Sequence, residues 1–395
     1  MTKPPFGGFY VKIIFMIYFD NAATTAIYPE SLKTYNDTAT RMIGNPSSLH
    51  NLGNVATRLL EASRRQIAEL LNVKSDEIFF TSGGTESDNW ALKGIAFEKA
   101  KYGKHILVSS IEHPAIKNTA EWLSNQGFEL DYIPVDKQGF IKFDELVKLI
   151  REDTILISVM AVNNEVGAIQ PIKKIADHLK NLPTISFHVD AVQALGKMPA
   201  DEFLVDGVDF ASFSAHKIHG PRGLGMLYVK SGKKITPLLH GGGQENNYRS
   251  TTENLPAIAA TAKALRMTLE NQVVKSDKIR NMKEILFNSL SHYDKVLTFS
   301  EMDDYVPNIL TFGIRGVRGE VLVHAFEQHE IYISTTSACS SKKNAAASTL
   351  IAMNVKPDLA TSAVRISLDS SNNMAEIEQF LTVFKQLYQN FEKVN

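Results

Sequence analysis

The chain has 395 residues, 44% hydrophobic and 22% charged, so it can bury a large core and is long enough for two domains. Its 42 Lys and Arg against 43 Asp and Glu give a formal net charge of −1, which argues against a nucleic acid or a membrane surface as the main partner. The single cysteine, Cys339, excludes an intramolecular disulfide and suits a reducing compartment, so we expect a cytoplasmic protein.

The N-terminus shows no pattern of a signal peptide or a membrane span. Lys12 interrupts its mildly apolar start, and Asp20 closes the stretch without a small-residue cleavage site. Met16 stands directly before the coherent segment "IYFDNAATT". We therefore expect residues 1–15 to lie outside the fold, as an extension or as the result of a start-codon choice.

Between residue 76 and about residue 230, short apolar runs alternate with amphipathic helical windows. The apolar runs are "EIFFTS", "HILVSS", "FELDYIPV", "TILISVMAV", "TISFHVD", "DFASFS" and "GMLYVK". Alternation of this kind predicts βα units around a mostly parallel, buried sheet of an α/β fold. Ligands of such sheets bind beyond the carboxyl ends of the strands, so we expect the functional residues directly after each run.

After residue 265 the pattern changes to helices with a few strands. The strand candidates there are "NILTFGI", "IYIST" and "AVRISL". We predict a large domain at residues 26–265 and a smaller α+β domain built from residues 16–25 and 266–395.

The first two strand ends carry a glycine turn and a histidine. The segment "FFTSGGTESDN" passes through Gly83 and Gly84 into a helix near Thr85, where backbone N–H groups can bind a phosphate. A plain strand-to-helix turn explains that pattern equally well. His113, in "SSIEHPAI", can stack on a planar ligand or move protons, and a capping histidine is the simpler alternative.

The later strand ends carry amides, a carboxylate and a lysine. Asn163 and Asn164 offer neutral donors, or form a simple turn. Asp190 ends a very apolar strand, with Gln193 just beyond, and suits either a protonated ring nitrogen or a helix cap. Lys217 lies between an apolar strand and a Gly-Pro turn, where desolvation favours Schiff-base chemistry, although a lysine taken alone is usually solvated surface. The order of these groups fits pyridoxal phosphate better than a nucleotide.

Ten motifs, in order, resemble those of the cysteine desulfurases, pyridoxal-phosphate enzymes of fold type I, the aspartate-aminotransferase fold. They are "YFDNAATT", "GNPSSLH", "TSGGTESDN", "EHPA", "VNNEVG", "HVDAVQ", "SFSAHKIHGPRG", "GGGQENNYRSTTEN", "TTSACSS" and "AVRISL", from residue 18 to about 368. Many relatives read G-A-T at residues 83–85 and G-S-A-C at residues 336–339, and neither difference removes a reacting group. The stretch "SSKKNAAAST" after the cysteine resembles the group with an extended cysteine loop.

The resemblance implies a role for each matching position. Lys217 would form the Schiff base, Asp190 would hold the pyridinium nitrogen, Gln193 would bind the ring hydroxyl, and His113 would stack on the ring and move protons. The phosphate would be bound by residues that the motifs supply, namely Gly84, Thr85, Ser214, His216 and, from the other subunit of a homodimer, Thr252. Arg365 would clamp the substrate carboxylate beside Asn164.

The implied reaction converts L-cysteine to L-alanine and leaves the sulfur as a persulfide on Cys339. An acceptor protein, either an iron–sulfur scaffold or a tRNA-thiolating enzyme, would then receive it. We predict no resident metal and no direct contact with nucleic acid or a membrane. Two alternatives stay open: another reaction on the same scaffold, such as that of a selenocysteine lyase or an aminotransferase, and a non-catalytic sulfur-transfer partner. The second is disfavoured because Lys217, Asp190, His113 and Arg365 are all present.

Overall fold

The computed structural model describes residues 16–336 and 348–394, so the predicted N-terminal extension lies outside the described residues. The strands are β1 (Ile17–Tyr18), β2 (Ile78–Thr81), β3 (His105–Ser109), β4 (Glu129–Ile133), β5 (Thr154–Met160), β6 (Ser186–Asp190), β7 (Phe210–Ser214), β8 (Gly225–Val229), β9 (Val296–Thr298), β10 (Ile309–Ile314), β11 (Ile331–Tyr332), β12 (Ser334–Thr335) and β13 (Ala363–Ser367). The helices are α1 (Pro29–Arg41), α2 (Asn51–Leu71), α3 (Gly84–Lys99), α4 (Pro114–Ser124), α5 (Phe143–Leu149), α6 (Ile172–Leu179), α7 (Leu255–Leu269), α8 (Gln272–Leu290), α9 (Gly319–Glu327), α10 (Ser348–Ala352), α11 (Pro357–Ala360) and α12 (Met374–Val394). Within the described ranges, no helix is both long enough and apolar enough to cross a bilayer.

A seven-stranded sheet with the order β2-β8-β7-β6-β5-β3-β4 forms the centre of the molecule. The neighbours from β7 to β4 pair in parallel, whereas β8 runs antiparallel to both β7 and β2. Strand β5 is buried along its whole length, as a strand covered on both faces must be. The predicted α/β fold with a mostly parallel seven-stranded sheet is confirmed.

The sheet has a hydrophobic core on each face. Successive residues of β3 show this directly, because Ile106 and Val108 pack in one cluster with Trp90 of α3, and Leu107 packs in the other. Alternation of this kind follows from the two-residue period of a strand. The carboxyl ends of the parallel strands are thereby held at one edge of a rigid layer.

A smaller α+β part follows the large sheet. It contains the antiparallel sheet β12-β13-β10-β9 and the parallel pair β1-β11. Its own hydrophobic cluster includes the ring stack of Phe326 on Phe380, 4.8 Å between centroids, and joins Phe19 from the N-terminal segment. The domain bounds at residues 26 and 266 stay our proposal.

Candidate active site

A cavity of about 590 Å³ lies at the carboxyl ends of β3, β5, β6 and β7, a size that suits a small-molecule ligand. Ten of the residues predicted from the sequence line it: Gly84, Thr85, His113, Asn164, Asp190, Gln193, Ser214, His216, Lys217 and Arg365. Thr252 lies elsewhere, in a separate recess beside Ser82 and Gly223. Cys339 lies outside the described residues, although Thr336, three residues earlier, lines the cavity.

The glycine turn after β2 brings the N-terminus of α3 to the cavity. Helix α3 begins at Gly84, and among the described residues no side chain caps it. A Cβ atom on Gly84 would lie 3.0 Å from Val192 Cγ2 and 3.4 Å from Ser214 Cβ, so glycine allows the close approach to the end of β7. The exposed N–H groups and the helix dipole suit an anion.

An ion pair supports this turn from behind. The Ser82 N–H donates to Glu86 Oε2 at 2.8 Å, and Arg249 binds both oxygens of Glu86 at 2.7 and 2.9 Å. Glu86 lines the cavity. The guanidinium balances its charge, so the carboxylate does not oppose an anion at the helix N-terminus.

His216 and Lys217 lie in the short turn that follows β7. Burial, followed by the positive charges of Lys217 and Arg222, lowers the pKa of His216 to about 4, so its ring is neutral at pH 7. The Lys217 Nζ donates to the carbonyl oxygens of Ala22 at 2.6 Å and Ala23 at 2.7 Å. The N-terminal segment therefore forms the cavity wall next to the predicted Schiff-base amine.

Gln193 also reaches this wall. Its Nε2 donates to the Ala22 carbonyl at 3.0 Å, so Gln193 and Lys217 share one acceptor. This contact fixes the Gln193 side chain within the cavity lining. Its predicted contact with a ring hydroxyl stays a prediction.

Asp190 and His113 bring a buried carboxyl and a neutral ring to the cavity. Asp190 ends β6, is 5% exposed, and its Oδ1 accepts from the Val192 N–H at 3.0 Å. Burial raises the pKa of Asp190, and His113 and Lys217 oppose that shift. His113 caps α4 through Nδ1, which accepts from the Ala115 N–H at 3.1 Å, and burial lowers its pKa. The hydrogen bond at Nδ1 assigns the ring proton to Nε2.

Arg365 lies on β13, is buried and lines the cavity. Its Nη1 donates to the backbone carbonyl of Asn164 at 2.7 Å, and its Nη2 donates to Asp20 Oδ1 at 3.0 Å. Burial raises the pKa of Asp20, and Arg365 opposes that shift. Asp20 was missed as a site residue because its partner lies 345 residues away, although it stands inside the "YFDNAATT" motif.

Among the other carboxyl groups near the cavity that were missed, two stand beside residues that were predicted. Glu165 lines the cavity, and burial raises its pKa to about 7. Glu112 lies behind the lining beside His113, and burial and Asp190 raise its pKa to about 8. Both stand in motifs quoted above, next to residues that were chosen, so the signal was their position beside a strand end.

The chain is similar to known proteins along nearly its whole length. The family model for aminotransferase class-V matches residues 17–380. A NifS/IcsS protein homolog of Lactobacillus delbrueckii subsp. bulgaricus is 52% identical, over 96% of this chain and 99% of its own length. The cysteine desulfurase IscS of Methanosarcina thermophila is 39% identical, over 96% and 93% of the two chains. A solved structure of a NifS-like protein superposes with a TM-score of 0.89 at 37% identity, covering 95% of this chain and 99% of its own.

The cavity lining fits pyridoxal 5'-phosphate. The uncapped N-terminus of α3 with Ser214 suits the phosphate. The buried Asp190 carboxyl, which accepts from the Val192 N–H, suits a protonated ring nitrogen, and Lys217 suits the aldehyde carbon. All of them face one cavity. This chain therefore belongs to the class-V aminotransferase family and, within it, to the pyridoxal-phosphate-dependent cysteine desulfurases.

Proposed function

We propose that this chain removes sulfur from L-cysteine, releases L-alanine and keeps the sulfur as a persulfide on Cys339. The observation that carries the proposal is a single cavity that joins Lys217, Asp190 and the N-terminus of α3 to Arg365. The first three suit the cofactor, and the planar guanidinium suits the carboxylate of an amino acid substrate.

The cofactor would be held at both ends of the cavity. The N–H groups of Gly84 and Thr85, with the side chains of Ser214 and His216, would bind its phosphate. Asp190 would hold the ring nitrogen in its protonated form, and His113 would lie against the ring. When bound, pyridoxal phosphate supplies an electron sink for the charge that develops at the substrate Cα.

Arg365 would orient the substrate. Its guanidinium lines the cavity and is already balanced by Asp20 at 3.0 Å. The Nη1 contact to the Asn164 carbonyl fixes the orientation of the guanidinium. A substrate carboxylate would have to share this fixed group with Asp20. The L-cysteine carboxylate would therefore bind in one orientation, with its Cα toward Lys217.

Lys217 would move the substrate Cα proton. Its Nζ is the cavity-lining amine next to the Ala22 and Ala23 carbonyls, and these acceptors stabilise the protonated amine after it has taken the proton. The N–H at His113 Nε2 is a second proton donor in the same cavity. Lys217 and His113 would therefore take up and return the proton within one cavity.

Cys339 would receive the sulfur. Its thiolate would attack the sulfur of the bound cysteine, so a new S–S bond forms as the substrate C–S bond breaks, and the three-carbon product takes up a proton to become alanine. Thr336 lines the cavity, and Cys339 follows three residues later in the sequence. This placement in the sequence supports the role.

The protein would act as a cytoplasmic homodimer that passes its sulfur to a second protein. Thr252 lies outside the cavity of its own chain, in the recess that contains Ser82. This position supports a contact between Thr252 and the phosphate site of the other subunit. The acceptor would be an iron–sulfur scaffold or a tRNA-thiolating enzyme. IscS is the name that several relatives carry.

Borohydride reduction tests the cofactor assignment. Reduction of the purified protein should fix the cofactor on one peptide that contains Lys217, and Lys217→Ala should abolish both this product and turnover of L-cysteine. Lys230→Ala is the matched control, because that lysine pairs with Asp206 at the surface, and it should behave as the wild type does. Label on another lysine, or none, would refute the assignment.

A further inference from the structure

Glu112 joins two strand ends directly beneath the cavity. It is 2% exposed, follows β3 and immediately precedes His113. Its Oε1 accepts from the Ser109 hydroxyl at 2.6 Å and from the Met160 N–H at 2.6 Å. Ser109 ends β3 and Met160 ends β5, so one carboxyl oxygen fixes both ends.

This bridge also fixes the two residues that flank the ring site. Met160 pairs with Asp190 in the register of β5 and β6, so the N–H that Glu112 binds lies next to the proposed ring-nitrogen partner. His113, the residue directly after Glu112, is the N-cap of α4. A shift of the Glu112 carboxyl would therefore move both residues.

The second oxygen of Glu112 indicates that the group is uncharged. Oε2 is buried and has no hydrogen-bond partner among the described residues. Burial and the nearby Asp190 raise the pKa of Glu112 to about 8, against the hydrogen bonds to Ser109 and Met160 and the charge of Lys117. An acid with that pKa is about nine-tenths protonated at pH 7.

The remaining carboxyl near Asp190 follows the same pattern. Asp88 is buried, its Oδ1 has no hydrogen-bond partner in the described part of the chain, and burial and Asp190 raise its pKa. Three negative charges cannot be accommodated together in such a small buried volume. Two cations face this cluster: Lys217 acts on Asp190, and Lys117 acts on Glu112 without reversing the effect of burial.

We propose that Glu112 is a positioning residue, held as a neutral carboxylic acid, which sets His113 and the end of β5 and leaves the negative charge on Asp190. This inference rests on the proposed cofactor site and specifies how that site is built. It assigns Glu112 no contact with the substrate or the cofactor.

The test compares Glu112→Gln with Glu112→Ala. Glutamine keeps the acceptor for Ser109 and Met160 and places a neutral donor at Oε2, whereas alanine leaves the Met160 N–H unpaired. Glu121→Gln, at an exposed carboxyl of α4, is the matched control. The readouts are the dissociation constant of pyridoxal phosphate from the apoprotein, the absorbance maximum of the bound cofactor and the pH midpoint of its spectral change.

Glu112→Gln should keep the dissociation constant within about threefold and the spectral midpoint within about 0.3 pH units. Glu112→Ala should weaken cofactor binding about tenfold or more and shift the midpoint. Equal damage by Gln and Ala would show that the anion is needed and would overturn the proposal, and so would wild-type behaviour of Ala.

If Glu112→Ala does not fold, Ser109→Ala removes one of the two donors to Oε1 and should shift the same spectral midpoint. An unchanged midpoint in that variant would contradict the bridge. A wild-type protein that fails to bind pyridoxal phosphate would instead refute the cofactor site itself, so the two failures are distinguishable.

Discussion

The buried pair of Arg64 and Glu245 offers the clearest test of how the edge of the large sheet is held. Arg64 Nη2 and Nη1 donate to the two Glu245 oxygens at 2.6 and 2.9 Å, and the side chains are 10% and 2% exposed. The same pair binds β2, because Arg64 Nη1 donates to the Ile78 carbonyl at 2.6 Å and the Phe80 N–H donates to Glu245 at 2.9 Å. Strand β2 lies at one edge of the sheet, so the two side chains replace a missing neighbour.

We expect Arg64→Met to leave the Glu245 carboxylate buried, with the Phe80 N–H as its remaining donor among the described residues. Loss of one partner of a buried pair costs about 3–5 kcal/mol. Glu245 also lies in a segment of left-handed backbone, with φ near 49° at Glu245 and 55° at Asn246, and the ion pair with Arg64 helps to hold this conformation. The free energy of unfolding should therefore fall by about 3–5 kcal/mol.

Urea unfolding of the apoprotein measures this change. The double variant Arg64→Met with Glu245→Gln should recover part of the loss, since no unpaired charge is then buried. Together with the two single variants it forms a double-mutant cycle, which gives the coupling energy of the pair. Cofactor affinity should fall in the single variant as well, because β2 leads directly into the Gly83 turn. A loss below about 1 kcal/mol in the single variant, within the surface range, would refute the reasoning.

Two further predictions follow from single side chains. Arg365→Lys keeps the charge but loses the planar fork that binds the Asn164 carbonyl and a carboxylate. The KM for L-cysteine should rise about tenfold or more while the cofactor spectrum stays unchanged. An unchanged KM would contradict the role of Arg365. Lys283 is 1% exposed and binds the Glu301 and Val306 carbonyls, and burial, followed by Arg280, lowers its pKa to about 7. Because the unfolded lysine keeps its proton to about pH 10.4, the unfolded state binds more protons above pH 7, and stability should rise with pH by up to about 1.4 kcal/mol per unit. In Lys283→Met this contribution should vanish, as urea unfolding at pH 7 and pH 9 can measure, and an identical slope would contradict the assignment.

Most strands of the large sheet could be predicted because they are local apolar runs, although β4 at one edge is mostly exposed. The run that became β5 is buried at all its residues, and no knowledge of its neighbours was needed to recognise it. The antiparallel direction of β8 and the edge position of β2 could not be predicted in this way. Strand order depends on contacts between distant segments, which a local pattern does not contain.

The same distinction applies to the site. Lys217, Asp190 and His113 were recognised because each ends or follows a strand, and parallel strands bring their ends together. Asp20 beside Arg365 and the bridging role of Glu112 were not recognised, because their meaning comes from partners on other strands. Asn164 contacts Arg365 through its backbone carbonyl, which its side-chain type could not indicate.

The most direct test of the central claim is turnover of L-cysteine by Cys339→Ala. Wild type and variant, both loaded with cofactor, are incubated with L-cysteine and a reductant, and alanine and sulfide are measured. We predict equal amounts of alanine and sulfide from the wild type, and neither above background from the variant, with its cofactor spectrum unchanged. Equal rates of alanine and sulfide formation by the two proteins would contradict the account.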